Sequence, residues 1–143
     1  MNLTATLTRG IAGLLDDEDI GRFDEAAVIA DPNTGIFLGT MPDTPSRAIC
    51  ITPYPVLDDD TTNQITALQL RMRAGHNLTA LTDLADAVKD VLHERRHYLL
   101  DGLHVTLSWR NSQAWIGQDG QKRMELTSNF YFRTTRPGPF LNT

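Results

Sequence analysis

Apolar residues along this chain recur at two spacings, and the places where the spacing changes mark the elements. Leu3, Leu7, Ile11, Leu14 and Leu15 make one stripe at helical period, predicting a helix over residues 3–15. Asn2 or Thr4 could cap it. Residues 47–54 read as a strand stopped by Pro53 and Pro55. Residues 64–73 alternate: Thr66, Leu68, Leu70 and Met72 face one side, and Ile65, Ala67, Gln69, Arg71 and Arg73 the other. Asn77 opens the most regular helix. Leu78, Leu81, Leu84, Ala85, Val88, Val91 and Leu92 mark its core face, it runs to about residue 97, and Gly102 stands just past its end. Leu103, Val105, Leu107 and Trp109 then alternate with His104, Thr106, Ser108 and Arg110 as a strand. From Met124 the alternation returns, with Leu126, Ser128, Phe130 and Phe132 on the side of Met124. Asp119-Gly120 lies before it as a turn signal, since both residues tolerate positive φ.

Loops fill the intervals. Asp16-Asp-Glu-Asp19 is an acidic loop without the alternating ligands and central glycine of a calcium loop. Residues 31–47 hold Asp31-Pro32-Asn33, Gly35, Gly39, Pro42 and Pro45 around a short apolar piece, Ile36-Phe-Leu38. Asp58-Asp-Asp60 and Thr61-Thr-Asn63 form a polar connection, and Pro137-Gly-Pro139 suggests a loose tail. The order helix, strands, helix, strands predicts an α+β fold, a mostly antiparallel sheet with two main helices packed on one face. A single domain over residues 1–136 and a flexible tail over 137–143 are expected.

Composition narrows the class. At 143 residues, 41% hydrophobic and 22% charged, the chain is ordinary globular material. A net charge of −5 argues against strong nonspecific nucleic-acid binding. The single cysteine, Cys50, reads as a small buried apolar residue. No apolar run is long enough to span a bilayer, and no secretory signal is visible. No membrane partner is expected.

One motif suggests catalysis. His93-Glu94-Arg95-Arg96-His97 has the form H-E-x-x-H, which on a helix binds zinc through two histidines with glutamate as general base. On a helical wheel the two histidines fall on the polar stripe beside Asp86 and Asp90. His104 follows His97 at the wrong spacing for a third ligand, with Leu100 and Leu103 where a metzincin has Gly and His. A solvated stripe is therefore favoured over zinc hydrolysis, with adventitious metal binding by His93 and His97 left open. No metal, no cofactor and no enzymatic activity are expected. No nucleophile elbow, P-loop or dinucleotide glycine motif occurs. Arg71 and Arg73 could meet nucleic acid or a partner's carboxylates, against a solvated strand face as the plainer reading. Trp109 and Trp115 read as packing residues.

The closing segment, Ile116-Gly117-Gln118-Asp119, then Lys122-Arg123, then Asn129-Phe130-Tyr131, resembles the tail-terminator or tail-completion (minor capsid) proteins of long-tailed bacteriophages. That family closes with Gly-x-Asp-x-x-Gly-Arg, a polar stretch and Asn-aromatic-aromatic. The segment Gln69-Leu-Arg71-Met-Arg73-Ala-Gly75 is similar to its alternating Gln, Arg, Arg, Gly strand, and Leu92-His93 to its helix end. The chain departs from the pattern with Lys122 where the family has glycine, and Gly120 where it has an acidic residue.

The resemblance implies a structural virion protein at the head-proximal end of the tail, assembled in the host cytoplasm. It implies a homo-oligomer, commonly a hexameric ring, which caps the tail tube protein and joins the tail to the head connector. Genome DNA would pass through the lumen without specific binding. A head-completion or neck protein of the same particle is the alternative, with a zinc hydrolase behind it. Asp119, Lys122, Arg123, Arg71 and Arg73 are the candidate subunit or tube contacts. Lys122 and Arg123 are expected to project from the hairpin toward an acidic stretch, Asp16–Asp19 or Asp58–Asp60, on a neighbour.

Overall fold

The computed structural model describes residues 2–57 and 63–135. The predicted Asp58–Asp60 connection and the 137–143 tail lie outside them. Two helices, α1 (Leu3–Asp17) and α2 (Leu78–Leu92), accompany six strands. The strands are β1 (Gly35–Leu38), β2 (Arg47–Leu57), β3 (Asn63–Ala74), β4 (Arg95–Leu100), β5 (Leu103–Gln118) and β6 (Met124–Thr135). They form one sheet in the order β1-β2-β3-β6-β5-β4. β1 runs parallel to β2, and every other pairing is antiparallel. The fold is α+β with a mixed, mostly antiparallel sheet.

Helix α1 forms where its stripe predicts. Leu3, Leu7, Ile11 and Leu15 are buried, and Asn2 Oδ1 accepts from the Ala5 amide at 3.0 Å as the cap. Asn77 caps α2 in the same way through the amides of Thr79 and Ala80. Cross-strand pairing aligns Ile49 with Met72 and Met72 with Leu126, and Leu68 with Phe130. These residues share one buried cluster with Leu7, Ile11 and Leu15 of α1 and Leu81, Leu84 and Val88 of α2. Helix α1 touches β1 and β2 as well as β4 and β5, elements from opposite ends of the strand order. The sheet therefore curls around it. Gly10 permits the close approach to β4, since a Cβ there would stand 2.7 Å from Leu100 Cβ.

Three expectations need correction. Helix α2 stops at Leu92 instead of running to residue 97. Its end is tied down by side chains: Ser108 Oγ donates to the Leu92 carbonyl at 2.7 Å, and Tyr98 donates to Ser108 Oγ at 2.7 Å. Glu94 turns the chain at φ 59° and β4 follows, so Asp101-Gly102 closes a β4–β5 hairpin rather than a helix. Second, Pro53 and Pro55 do not stop β2, which pairs with β3 through both. β1 pairs only as far as Ile51, so the prolines sit on an open edge where a missing N–H costs no ladder bond. Third, the alternation of β5 changes phase. A register shift between Val105 and Leu107 buries Ser108 and leaves Leu107 and Trp109 only partly covered.

Candidate functional site

Strand β5 runs well past its outer neighbour β4. β4 accompanies β5 only from Leu103 to Ser108, so among the described residues one backbone edge of β5 from Trp109 to Gln118 has no strand beside it. β6, by contrast, lies between β3 and β5, so its alternation of apolar residues presents no edge. Residues 111–116 are all exposed, and Trp115 and Ile116 keep 55% and 51% of their surface in solvent. Two exposed large apolar side chains at successive positions on the β5 arm of the hairpin are an unusual use of surface for a small protein.

The tip is a five-residue turn. The Lys122 amide donates to the Asp119 carbonyl at 2.9 Å, and the Asp119 amide to the Arg123 carbonyl at 3.0 Å. Asp119 Oδ1 accepts from the amides of Gln121 and Arg123, both at 2.9 Å. The positive φ falls on Lys122, at 62°, rather than on Gly120. Lys122 thus stands, in the left-handed conformation that glycine favours, where the closing pattern it resembles carries glycine.

The basic residues divide into two kinds. Lys122 and Arg71 are exposed. Arg123 and Arg73 are buried, so Arg123 does not project beside Lys122 as expected and Arg73 is not on a solvated strand face. Arg123 Nε donates to Asp119 Oδ2 at 2.8 Å, and its Nη1 to the Asp43 carbonyl at 2.7 Å. Arg73 donates to the carbonyls of Pro42, Pro45 and Ser46 at 2.7–2.9 Å. Two guanidiniums thus hold the 42–46 loop against the sheet. Burial lowers the Arg73 pKa, and the neighbouring Arg123 lowers it further. Burial pushes the Asp119 carboxyl up, but the amides of Arg123 and Gln121 and the Arg123 side chain outweigh it and hold the group below its usual value. Arg71 reaches diagonally across β3 and β6 to Glu125, whose side chain is 1% exposed, at 2.6 Å. No local pattern signals these carbonyl acceptors, so the sequence alone shows only two alternating arginines.

The H-E-x-x-H residues do not share a helix face. His93 caps α2, and its Nδ1 accepts from the Arg110 amide at 2.9 Å. Glu94 is in the turn, and His97 is on β4. Among the described residues no group of three or more His, Cys, Asp or Glu is placed to hold a metal. Cys50 is buried, as its apolar surroundings suggest.

A family model described as bacteriophage tail terminator protein matches residues 14–136. The chain belongs to that family. Its closing hairpin, strand β3 and the end of α2, the parts that carry the resemblance, all fall inside the matched span. The tail-terminator family is structural, and this chain is a phage-tail structural protein of the virion. A solved structure with the same fold is titled "Virion of native gene transfer agent (GTA) particle", with a TM-score of 0.56 and 10% sequence identity. The likeness covers 70% of this chain and 78% of that one. No curated protein matches at a significant level.

Proposed function

We propose that this chain is the subunit of a ring, of the sixfold kind the resemblance commonly implies, that caps the tail tube at its head-proximal end and offers a surface to the head connector. The family match over residues 14–136 carries the reading. The likeness to a chain of a gene transfer agent virion is in keeping with it.

The mechanism is mechanical. A tube grows because each ring presents a surface that recruits the next, and a terminator occupies that surface without reproducing it. The β5–β6 arm supplies the means: an open strand edge, exposed Trp115 and Ile116, and Lys122 at the tip. Arg71, on β3 beside β6, and Asp119, in the β5–β6 turn, are further candidate contacts with a neighbouring subunit or the tube. Ring closure by heterologous contacts follows cyclic symmetry. A subunit of net charge −5 suits a lumen through which DNA slides without specific binding. Assembly takes place in the host cytoplasm, with the tail tube protein and the connector protein as partners.

Deleting the gene tests this. Virions with overlong tails, or heads and tails left unjoined, are expected. Normal particles would overturn the reading.

A further inference from the structure

The histidines that the structure brings together are not the pair the sequence suggests. His97 on β4 and His104 on β5 stack with ring centroids 5.4 Å apart and planes 23° from parallel. Nδ1 of His97 lies 3.4 Å from Nε2 of His104, a long hydrogen bond between the rings that a metal ion would replace. Seven positions separate them, and the Asp101-Gly102 turn folds one strand back onto the other to make the pair. His97 holds φ 49°, a left-handed conformation in the middle of a strand. A non-glycine residue there carries strain, and strain of this kind collects at sites with a use.

We propose that His97 and His104 form a two-histidine site for a divalent transition metal, with zinc the best fit. Zinc takes imidazole nitrogen at about 2.0–2.1 Å in tetrahedral geometry, which sets two ligand nitrogens about 3.3–3.4 Å apart. The observed 3.4 Å matches that bite. Square or octahedral coordination at the same bond length brings neighbouring ligands to about 2.9 Å, a poorer match. Neutral imidazole is the form that binds, each ring offering the nitrogen that faces the other. Among the described residues no third His, Cys, Asp or Glu completes the set, so water fills the remaining positions. The bound ion would pin β4, an outer strand of the sheet, to β5. The site is independent of the capping reading.

The test is titration of the tag-free full chain with Zn2+ by calorimetry and with Co2+ by visible absorption, which reports tetrahedral coordination. One equivalent is expected to bind saturably. His97→Asn removes the ligand while tolerating the positive φ, and His104→Gln removes the other. Each is expected to weaken binding tenfold or more while far-UV circular dichroism stays unchanged. His76→Gln, at an exposed histidine bonded to the Lys122 carbonyl, is expected to bind as wild type. Zn2+ should raise the Tm of wild type and of His76→Gln only. Absence of saturable binding by wild type, survival of binding in both site variants, or equal loss in His76→Gln overturns the proposal. So does a Co2+ spectrum without tetrahedral bands.

Discussion

Arg123 and Asp119 meet at 2.8 Å inside the turn of the β5–β6 hairpin, and the guanidinium is 4% exposed against 16% for the carboxylate. The pair faces inward, toward the 42–46 loop, because Arg123 also donates to the Asp43 carbonyl. Asp119→Ala removes the acceptor for two backbone amides and for the buried arginine. It is expected to cost about 1–3 kcal/mol, the range for a buried donor left unmatched. Asp119→Asn keeps an acceptor for the amides and should cost less. Urea denaturation of the two variants checks the order.

The same carboxylate makes stability depend on pH. Its folded pKa lies below the unfolded one, so its contribution is present in full above the ordinary carboxylate range. It is lost as pH falls through the depressed folded value. Wild-type Tm should therefore drop on acidification below about pH 4. The drop should be shallower in Asp119→Asn, which has no proton to take up there. Equal slopes for the two proteins would show that Asp119 is not linked to folding.

Lys122 supplies a stabilising substitution. At φ 62° a lysine side chain is strained and a glycine is not. Lys122→Gly is expected to gain up to about 1 kcal/mol, less whatever extra freedom glycine gives the unfolded chain. The Tm should rise by roughly 2–4 °C. Lys122→Ala, still strained, should not reproduce the rise.

Where sequence and structure diverge, the cause is always a contact the local pattern does not encode. The stripe of α1 and the alternation of β3 and β6 were readable because one face of each meets the core. The end of α2 was not, since no glycine or proline separates Leu92 from Arg95 and Glu94 takes positive φ without help. The carbonyl at the helix end is bonded by Ser108, a residue on β5. Arg73 and Arg123 looked like surface charges because the carbonyls they satisfy belong to a loop some 30 and 80 residues away. Pro53 and Pro55 looked like strand ends because their tolerance depends on how far β1 extends. The hairpin itself was legible, but the open edge of β5 follows from the shortness of β4.

Two glycines of α1 should respond to alanine with opposite signs. Gly13 has nothing within 4 Å of a built Cβ, so Gly13→Ala gains helix propensity, about 0.5–1 kcal/mol. At Gly10 the same methyl would meet Leu100 Cβ at 2.7 Å, an atom fixed to the backbone of β4. Overpacking there costs about 1–3 kcal/mol, more than the propensity returns. Chemical denaturation midpoints should move up for Gly13→Ala and down for Gly10→Ala. Equal shifts would mean that α1 and β4 do not approach this closely.

The assembly surface requires variants that separate folding from capping. Reversing the charge of Arg123 would bury a carboxylate beside Asp119, so its loss of function would report misfolding. Lys122→Glu is clean, since the side chain is exposed and the backbone bonds of the turn are unchanged. Trp115→Ser and Ile116→Ser remove apolar surface that is half in solvent and should alter stability by no more than about 0.5 kcal/mol. If the arm grips a neighbour or the tube, Trp115→Ser with Ile116→Ser should abolish capping of purified tubes. Buried apolar anchors carry most of the energy of such contacts. Lys122→Glu should weaken capping by roughly tenfold at low salt through like-charge contact, and the deficit should narrow as salt screens it. Tube lengths measured by electron microscopy read both effects. Wild-type capping by the Trp115→Ser, Ile116→Ser double variant, with its fold intact, would remove the arm from the interface and leave the contact to another face of the subunit.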